Sequence, residues 1–207
     1  MATPRYKVRE EEKAQEIGET RTFNESQVRR LVDGASGGDF EAFGEIYSIY
    51  LERIYRYVFY QVNDKMVAED LTEEIFMKAW QAIGKYKWKG QPFQAWLYRI
   101  AHNHVIDYFR TRRQDLASEN QISAEANGPE QEVEEKLRRQ KLLEAVSYLP
   151  PQQKQVIILK FIEGLDNPEI AQITGKKQGA IRVMQMRALA ALRQGLSEEY
   201  RNASQAI

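Results

Sequence analysis

Two stretches of this 207-residue chain concentrate the basic side chains that bind nucleic acid, and an acidic stretch separates them. Residues 85–113 contain seven lysines and arginines against one acid, and residues 176–193 contain five and no acid. Thirty basic and thirty acidic residues cancel over the whole chain, so binding would depend on local patches rather than on bulk charge. Two patches divided by an acidic connector predict two nucleic-acid contacts made by two bodies. Either patch alone could equally be the solvated face of a helix.

Other site chemistry is excluded by spacing or by composition. His102 and His104 with Asp107 could be imagined as a metal site on a helix. Histidines two residues apart on a helix, however, point about 200 degrees away from each other and cannot share one ion. The chain has no cysteine, which removes disulfides, iron–sulfur clusters and thiolate zinc sites. Since no glycine-rich phosphate loop, nucleophile elbow or paired-carboxylate pocket occurs either, we predict that the protein is not an enzyme and has no cofactor and no metal site.

The elements that must position the first basic patch are predicted to be helices. Apolar residues recur at intervals of three and four over 41–62, then over about 67–83, and again over about 93–113. On the second of these helices an apolar stripe faces inward and acidic residues face outward. Between the second and third helices, Gly90 and Pro92 interrupt any helix, so residues 85–92 are predicted to form a basic, aromatic loop.

The second basic patch is predicted to lie on a helix-turn-helix. Asp166 and Glu169 have the spacing of a capping box that opens a short helix, and Gly175 closes it. A last helix, predicted over about 178–194, follows the turn and would meet the major groove with its first residues. Further helices are predicted from Pro129 to about residue 148 and over 151–161. Residues 111–128 lack aromatic residues and read as a flexible acidic linker.

These segments together resemble the extracytoplasmic-function (ECF) group of bacterial RNA polymerase sigma factors. AEDLTEEIFMKAW (68–80) and FQAWLYRIAHN (93–103), with Asp107 and Arg110, resemble the second conserved region of that family. Leu149-Pro150, Glu169-Ile170-Ala171, Gly175, residues 179–182 and Arg187-Ala188-Leu189 resemble its fourth region. The two sets occur in the family's order, with a linker where the family has one.

The resemblance implies an all-α fold of two small helical domains. The predicted division is a flexible arm (1–25), a region 2-like domain (26–113), a linker (114–128), a region 4-like helix-turn-helix domain (129–195) and a tail (196–207). It also implies the partners, which are the RNA polymerase core through its largest-subunit clamp helices and flap, promoter DNA, and an anti-sigma factor. The family acts in the cytoplasm, and neither a signal peptide nor a membrane-inserted segment is predicted.

The resemblance assigns site residues to three surfaces. The core polymerase would be bound by the acidic helix, through Asp70, Glu73, Glu74 and Phe76. The minus-ten element would be read and melted by the loop and the third helix, since aromatic rings among lysines favour unpaired bases. The residues assigned to it are Lys85, Tyr86, Lys87, Trp88, Lys89, Asn103, Asp107, Arg110 and Arg113. The minus-thirty-five element would be read by Lys176, Lys177, Gln178, Arg182, Gln185 and Arg187.

Three departures from the family pattern are visible. Lys177 stands where the family has a capping residue, and Gly179 weakens the first turn of the last helix further. Met184 stands where many members carry a basic residue, which suggests an unusual minus-thirty-five sequence. The arm before Gln27 is longer than in most members.

Two alternatives stay open at this stage. A stand-alone transcription activator would explain the helix-turn-helix but not the acidic helix or the aromatic loop. A metal-dependent enzyme would need the two histidines to converge. Binding to bare promoter DNA separates the first alternative from a sigma factor, which would bind weakly until polymerase is added.

Overall fold

The computed structural model describes residues 25–88, 90, 92–118 and 143–205, and every regular element within these ranges is helical. The predicted all-α fold is confirmed. Nearly all of the predicted arm, and the predicted linker from residue 119 onward, lie outside the described residues. Among the helices of the described ranges, none combines the length and the apolar character that a membrane span requires.

The N-terminal half consists of α1 (Glu25–Ser36), α2 (Phe40–Val62), α3 (Lys65–Ile83) and α4 (Phe93–Ser118). Asp39 caps the start of α2, because its carboxylate accepts hydrogen bonds from the backbone N–H groups of Glu41 and Ala42. It packs on α1 and α3, and α4 packs on α3. The predicted inward stripe of α3 is confirmed, because its members are all buried: Leu71, Ile75, Ala79 and Ile83.

Two features of this half were not predicted. No helix was expected over 25–36, where α1 buries Val28, Val32 and Ala35 at intervals of four and three. The helix α4 was expected to end at about Arg113 but continues to Ser118. The first residues of the predicted linker are therefore helical.

The C-terminal half consists of a helical segment over 143–147, α5 (Pro151–Ile157), α6 (Asn167–Thr174) and α7 (Gln178–Gln205). A wider π-helical turn, Ile158–Ile162, continues α5 and was not predicted. At the start of α6 the predicted capping box is present, with Asp166 and Glu169 each accepting a hydrogen bond from the other's backbone N–H. Gly175 ends α6 with a φ of 68°, a left-handed conformation that glycine adopts at low cost.

The two halves pack against each other. The helix α6 lies on α4, and the π-helical turn lies on α2. The helical periods alone do not predict this contact, because an apolar face shows that a helix is packed but not which partner covers it. The predicted helix-turn-helix is thus placed directly beside the helix that carries Asn103 and Arg110.

Candidate nucleic-acid and polymerase interfaces

The acidic face of α3 is exposed, as its sequence pattern predicted. Asp70, Glu73 and Glu74 all lie on the surface. Phe76 does not, because it is 3% exposed and its ring packs edge-on against Tyr47 with 4.7 Å between centroids. The expectation that Phe76 contacts a partner is therefore corrected, since a core side chain cannot reach another protein without unfolding α3.

Met77 supplies the exposed apolar side chain that Phe76 was expected to supply. It is 63% exposed, and it follows Asp70, Glu73 and Glu74 at helical positions that share one face. The adjacent placement of Phe76 and Met77 in the sequence hides this difference. Counting seven residues on from Asp70 would have selected Met77.

Glu74 is tied to the neighbouring helix through a histidine. Its Oε2 lies 2.6 Å from Nε2 of His104 on α4, and the Nζ of Lys78 lies 2.6 Å from Nδ1 of the same ring. An ammonium group can only donate, so Nδ1 accepts from Lys78 and Nε2–H donates to Glu74. This assigns the neutral tautomer of His104 and fixes the orientation of Glu74 on α3. The role of His104 was not predicted.

The aromatic residues of the loop after α3 are anchored rather than free. The ring of Tyr86 packs on Phe93 and Trp96, with centroids 5.5 and 5.2 Å away. Burial, with smaller contributions from Tyr50 and Asp33 and against a lowering by Arg29, raises the pKa of Tyr86 to about 12. Tyr86 is therefore a neutral phenol at every physiological pH.

Trp88 is held by α1, a contact that sequence reasoning missed. Its Nε1–H donates to Oδ1 of Asp33 at 3.0 Å, and the guanidinium of Arg29 lies 5.3 Å from the ring centroid. This cation–π contact covers part of one face of the indole. Arg29 is exposed, so it adds a basic group to the predicted minus-ten surface.

The remaining residues of the predicted minus-ten surface lie on the outside of the molecule. Lys85 and Lys87 are exposed beside the aromatic cluster, and Lys89 lies outside the described residues. On α4, Asn103, Arg110 and Arg113 are exposed. Asp107 is half-buried and forms an ion pair with Arg110 at 3.0 Å. To contact a phosphate or a base, Arg110 must therefore either keep its ion pair with Asp107 at the same time or break it.

The predicted helix-turn-helix is assembled around aliphatic side chains. Ile170 and Ile173 of α6 are buried together with Ile181 and Ala188 of α7. This packing turns Lys177, Gln178, Arg182 and Arg187 outward. The first three lie at or near the start of α7, where a recognition helix meets base edges.

Two residues of α7 differ from their predicted roles. Gln185 is half-buried, and its Nε2 donates to Oδ1 of Asn167 at 2.9 Å. That bond fixes α7 on the start of α6. Met184 packs against the core, about 200 degrees around the helix from Arg182, so its own side chain does not share the face of Arg182; that the minus-thirty-five sequence is unusual stays a prediction. Met186 is 65% exposed and shares the face of Arg182 instead.

Lys176 lies against the N-terminal half. It is half-buried, and its charge contributes to the low pKa of His102 on α4. Burial first, then Lys176 and Arg99, lowers that pKa to about 4. His102 is consequently neutral at physiological pH. Within the described ranges, no group of three or more histidine, aspartate and glutamate side chains is arranged to hold a metal ion.

Comparison with known proteins adds independent findings. Residues 46–114 match the Sigma-70 region 2 family, and residues 139–192 match the Sigma-70, region 4 family. Over 180 residues, 85% of this chain and 68% of the relative, the chain is 39% identical to the ECF RNA polymerase sigma factor BldN of Streptomyces coelicolor. Over 187 residues, 86% of this chain and 88% of the relative, it is 31% identical to the ECF RNA polymerase sigma factor SigD of Mycobacterium tuberculosis.

A solved structure is also similar. It is the co-crystal structure of the sigma factor RpoE with the anti-sigma factor NepR from Bartonella quintana. The likeness has a TM-score of 0.67 at 25% sequence identity, and it covers 75% of this chain and 96% of that chain.

Proposed function

The chain belongs to the ECF RNA polymerase sigma factors, and from that membership we propose how its surfaces divide the work of transcription initiation. The observation that carries the proposal is that one chain combines a match to region 2, with its acidic and aromatic-basic surfaces, and a match to region 4, with its helix-turn-helix. The protein is a regulatory initiation factor. It directs core polymerase to promoters in the cytoplasm, and bond-making chemistry remains with the polymerase.

Core polymerase binds the exposed face of α3. Asp70 and Glu73 supply negative charge, Glu74 is held in place by His104, and Met77 supplies the apolar centre. A charged rim around an apolar anchor suits a helical partner such as the clamp helices, because charge sets orientation while the anchor is desolvated. The flap would contact the helix-turn-helix half.

The minus-ten element binds where the loop and α4 meet. Lys85, Lys87 and Arg29 hold the backbone, and the anchored rings of Tyr86 and Trp88 present their remaining faces to unpaired bases. Asn103, Arg110 and Arg113 extend this surface along α4. Because the rings are fixed before DNA arrives, a captured base would meet a preorganised stacking platform.

The minus-thirty-five element binds the start of α7. Lys177, Gln178 and Arg182 face outward and can reach base edges in the major groove, and Arg187 can reach phosphate. Met186 lies beside Arg182 and is suited to apolar contact with a thymine methyl group. Gln185 acts indirectly, through its bond to Asn167.

An anti-sigma factor is proposed as the regulatory partner. The similar RpoE structure is a complex with the anti-sigma factor NepR. A regulator of this kind would have to cover one of the three surfaces above.

In vitro transcription tests the proposal directly. Purified core polymerase should initiate from specific sites on genomic fragments only when this chain is added. Electrophoresis with bare promoter DNA should show weak binding by the chain alone. Tight, sequence-specific binding without polymerase, together with no initiation, would instead support a stand-alone regulator, which the match of residues 46–114 to region 2 does not favour.

A further inference from the structure

A buried carboxylate joins the two halves of the molecule. Glu163 follows the π-helical turn of the C-terminal half, and its side chain is 0% exposed. Both of its oxygens are engaged by Arg56 of α2, through Nε to Oε1 at 2.9 Å and Nη2 to Oε2 at 3.0 Å. The hydroxyl of Tyr98 on α4 donates to Oε2 at 2.6 Å. Every one of these donors belongs to the N-terminal half.

A second arginine holds the backbone at the same place. Arg53 Nη2 donates to the carbonyl oxygen of Glu163 at 3.1 Å, and its Nη1 donates to Gln94 Oε1 at 2.8 Å. A bidentate guanidinium and a short phenolic hydrogen bond are the strong, charge-assisted kind. The Glu163 hydrogen bond is the largest cause that raises the pKa of Arg56, and burial followed by the Glu163 charge raises the pKa of Tyr98.

Other polar side chains also form hydrogen bonds between the two halves of the molecule. The Gln155 amide contacts Nδ1 of His102 and donates to the hydroxyl of Tyr57 at 3.4 Å. Lys154 Nζ donates to the carbonyl oxygen of Gln61 at 3.0 Å, and burial lowers the pKa of Lys154. The boundary is therefore specific in its pairing and is not a loose contact between two surfaces.

The arrangement sets the two proposed DNA surfaces side by side. The helix α6 of the helix-turn-helix packs on α4, which carries the minus-ten residue Asn103, and Lys176 at the entry to the recognition helix is half-buried. The centres of the minus-ten and minus-thirty-five elements are about 25 base pairs apart by definition, which is roughly 85 Å of duplex at 3.4 Å per pair. Surfaces carried by helices that pack on each other cannot reach two elements separated by this distance.

We propose that Glu163, gripped by Arg56, Arg53 and Tyr98, is a latch that holds the free chain in a closed state unable to engage both promoter elements. Polymerase binding opens it by separating the two halves. The inference that the closed state cannot engage both promoter elements rests on the function proposed above, whereas the inference that the free chain is closed does not. When the two halves separate, the carboxylate of Glu163 and the guanidiniums of Arg53 and Arg56 lose one another and must be solvated by water. Water reaches these groups only when they are at the surface, so we expect the contacts of the latch to break together.

The latch can be tested on the full chain by a distance measurement. Because the chain has no native cysteine, fluorophores can be attached at Glu45→Cys on α2 and Gln152→Cys on α5, both exposed positions. We expect the free wild type to show one short distance, and we expect core polymerase to convert it to a longer one. Glu163→Gln and Arg56→Met should each shift the closed-to-open ratio at least tenfold toward open without polymerase.

A matched control uses the other acid beside Arg56. Glu52 lies 3.8 Å from Arg56 but is 90% exposed, so Glu52→Gln removes a nearby charge without touching the buried site, and the distance should not change. Arg56→Met decides the case if Glu163→Gln disturbs its own half, because Arg56 lies in the other half. The proposal is overturned if the free wild type already shows the long distance, or if Arg56→Met leaves the short distance unchanged. Failure to bind polymerase would contradict the proposed function and leave the distance result intact.

Discussion

Charge reversal on α3 gives the sharpest test of the proposed polymerase surface. We expect Asp70→Lys with Glu73→Lys to weaken binding to core polymerase by about 100-fold. One unit charge pair about 6 Å apart in water contributes about 0.7 kcal/mol, and reversal replaces that attraction with an equal repulsion. Two reversals then cost about 3 kcal/mol, which is roughly a factor of 100 in Kd. Both side chains are exposed, so the cost to folding should stay within about 0.5 kcal/mol.

Glu74 is left out of this variant on structural grounds. Its carboxylate accepts a hydrogen bond from buried His104, and Lys78 occupies the other ring nitrogen. Glu74→Lys would place a second ammonium group at that imidazole and remove its acceptor. A loss of binding in that variant could therefore come from a displaced α4 rather than from a lost contact with polymerase.

The assay is titration of labelled chain with core polymerase at several salt concentrations, with circular dichroism as the folding check. The control is Glu41→Lys with Glu45→Lys on α2, which produces the same change in net charge at exposed positions. The loss should shrink as salt rises, because the Debye length falls from about 10 Å at 0.1 M to about 3 Å at 1 M. An unchanged Kd for the α3 variant, or an equal loss in the α2 control, would refute the assignment of this surface.

Further variants test the recognition helix, the aromatic loop, the linker and the buried His102. Arg182→Ala should reduce discrimination at the upstream element by about 1–3 kcal/mol if the guanidinium makes a bidentate base contact. Gln185→Ala should weaken binding to all upstream sequences alike, because it loosens α7 from Asn167. A competition assay between upstream sequences distinguishes the two effects. Trp88→Ala with Tyr86→Ala should impair opening of duplex promoters, by about 1–3 kcal/mol per captured base, and much less on templates already mismatched at the minus-ten region; equal losses on both templates would point to a folding defect. Removing residues 119–128 should abolish promoter selection, whereas a polar scramble of the same length should retain it, as judged by start-site mapping. Burial lowers the pKa of His102 to about 4, so the folded protein holds this imidazole neutral where the unfolded chain, with a pKa of about 6.5, takes up a proton. The free energy of unfolding should therefore be highest above about pH 6.5 and should fall as the pH drops toward 4. Chemical denaturation across that range should show this decrease, and His102→Gln should make it shallower.

Local patterns in the sequence predicted local structure well. The capping box of Asp166 and Glu169 depends only on residues three apart, and Gly175 needs only its own backbone freedom. The buried stripe of α3 follows from helical periodicity alone. These features involve neighbours in the chain, so their physical cause is contained in a few consecutive residues.

The errors occurred where exposure depends on the direction of one side chain. Phe76 and Met77 are consecutive and both apolar, but Phe76 packs on Tyr47 of α2 whereas Met77 lies on the exposed acidic face, a difference that helical spacing from Asp70 would have shown. Gln185 was expected to contact the minus-thirty-five element because it lies on the recognition helix; the sequence did not show that its Nε2 also donates to Asn167. Composition cannot distinguish a polar side chain that faces a partner from one that faces its own fold.

The contact between the halves was beyond the reach of pattern analysis. Glu163 and Arg56 are 107 residues apart, and a single acid after an apolar run looks like the end of a buried helix. The sequence around Glu163 does not indicate a buried ion pair, because Gly164 follows it and a solvent-exposed turn would be expected there. Pairing over such a separation is a property of the assembled molecule.

The π-helical turn before Glu163 accommodates one extra residue without turning the chain beyond it. Its widened hydrogen bond runs from the N–H of Glu163 to the carbonyl oxygen of Ile158, 3.0 Å away and five residues back, where an α-helix would reach back four. A one-codon deletion within Ile158–Ile162 would let the helix run on regularly to the same carbonyl oxygen and would still place the carboxylate close to both arginines. A deletion inside a regular helix, by contrast, rotates everything beyond it by about 100 degrees. A one-residue alignment gap at this turn should therefore be tolerated, whereas a gap within α5 should separate Glu163 from Arg53 and Arg56.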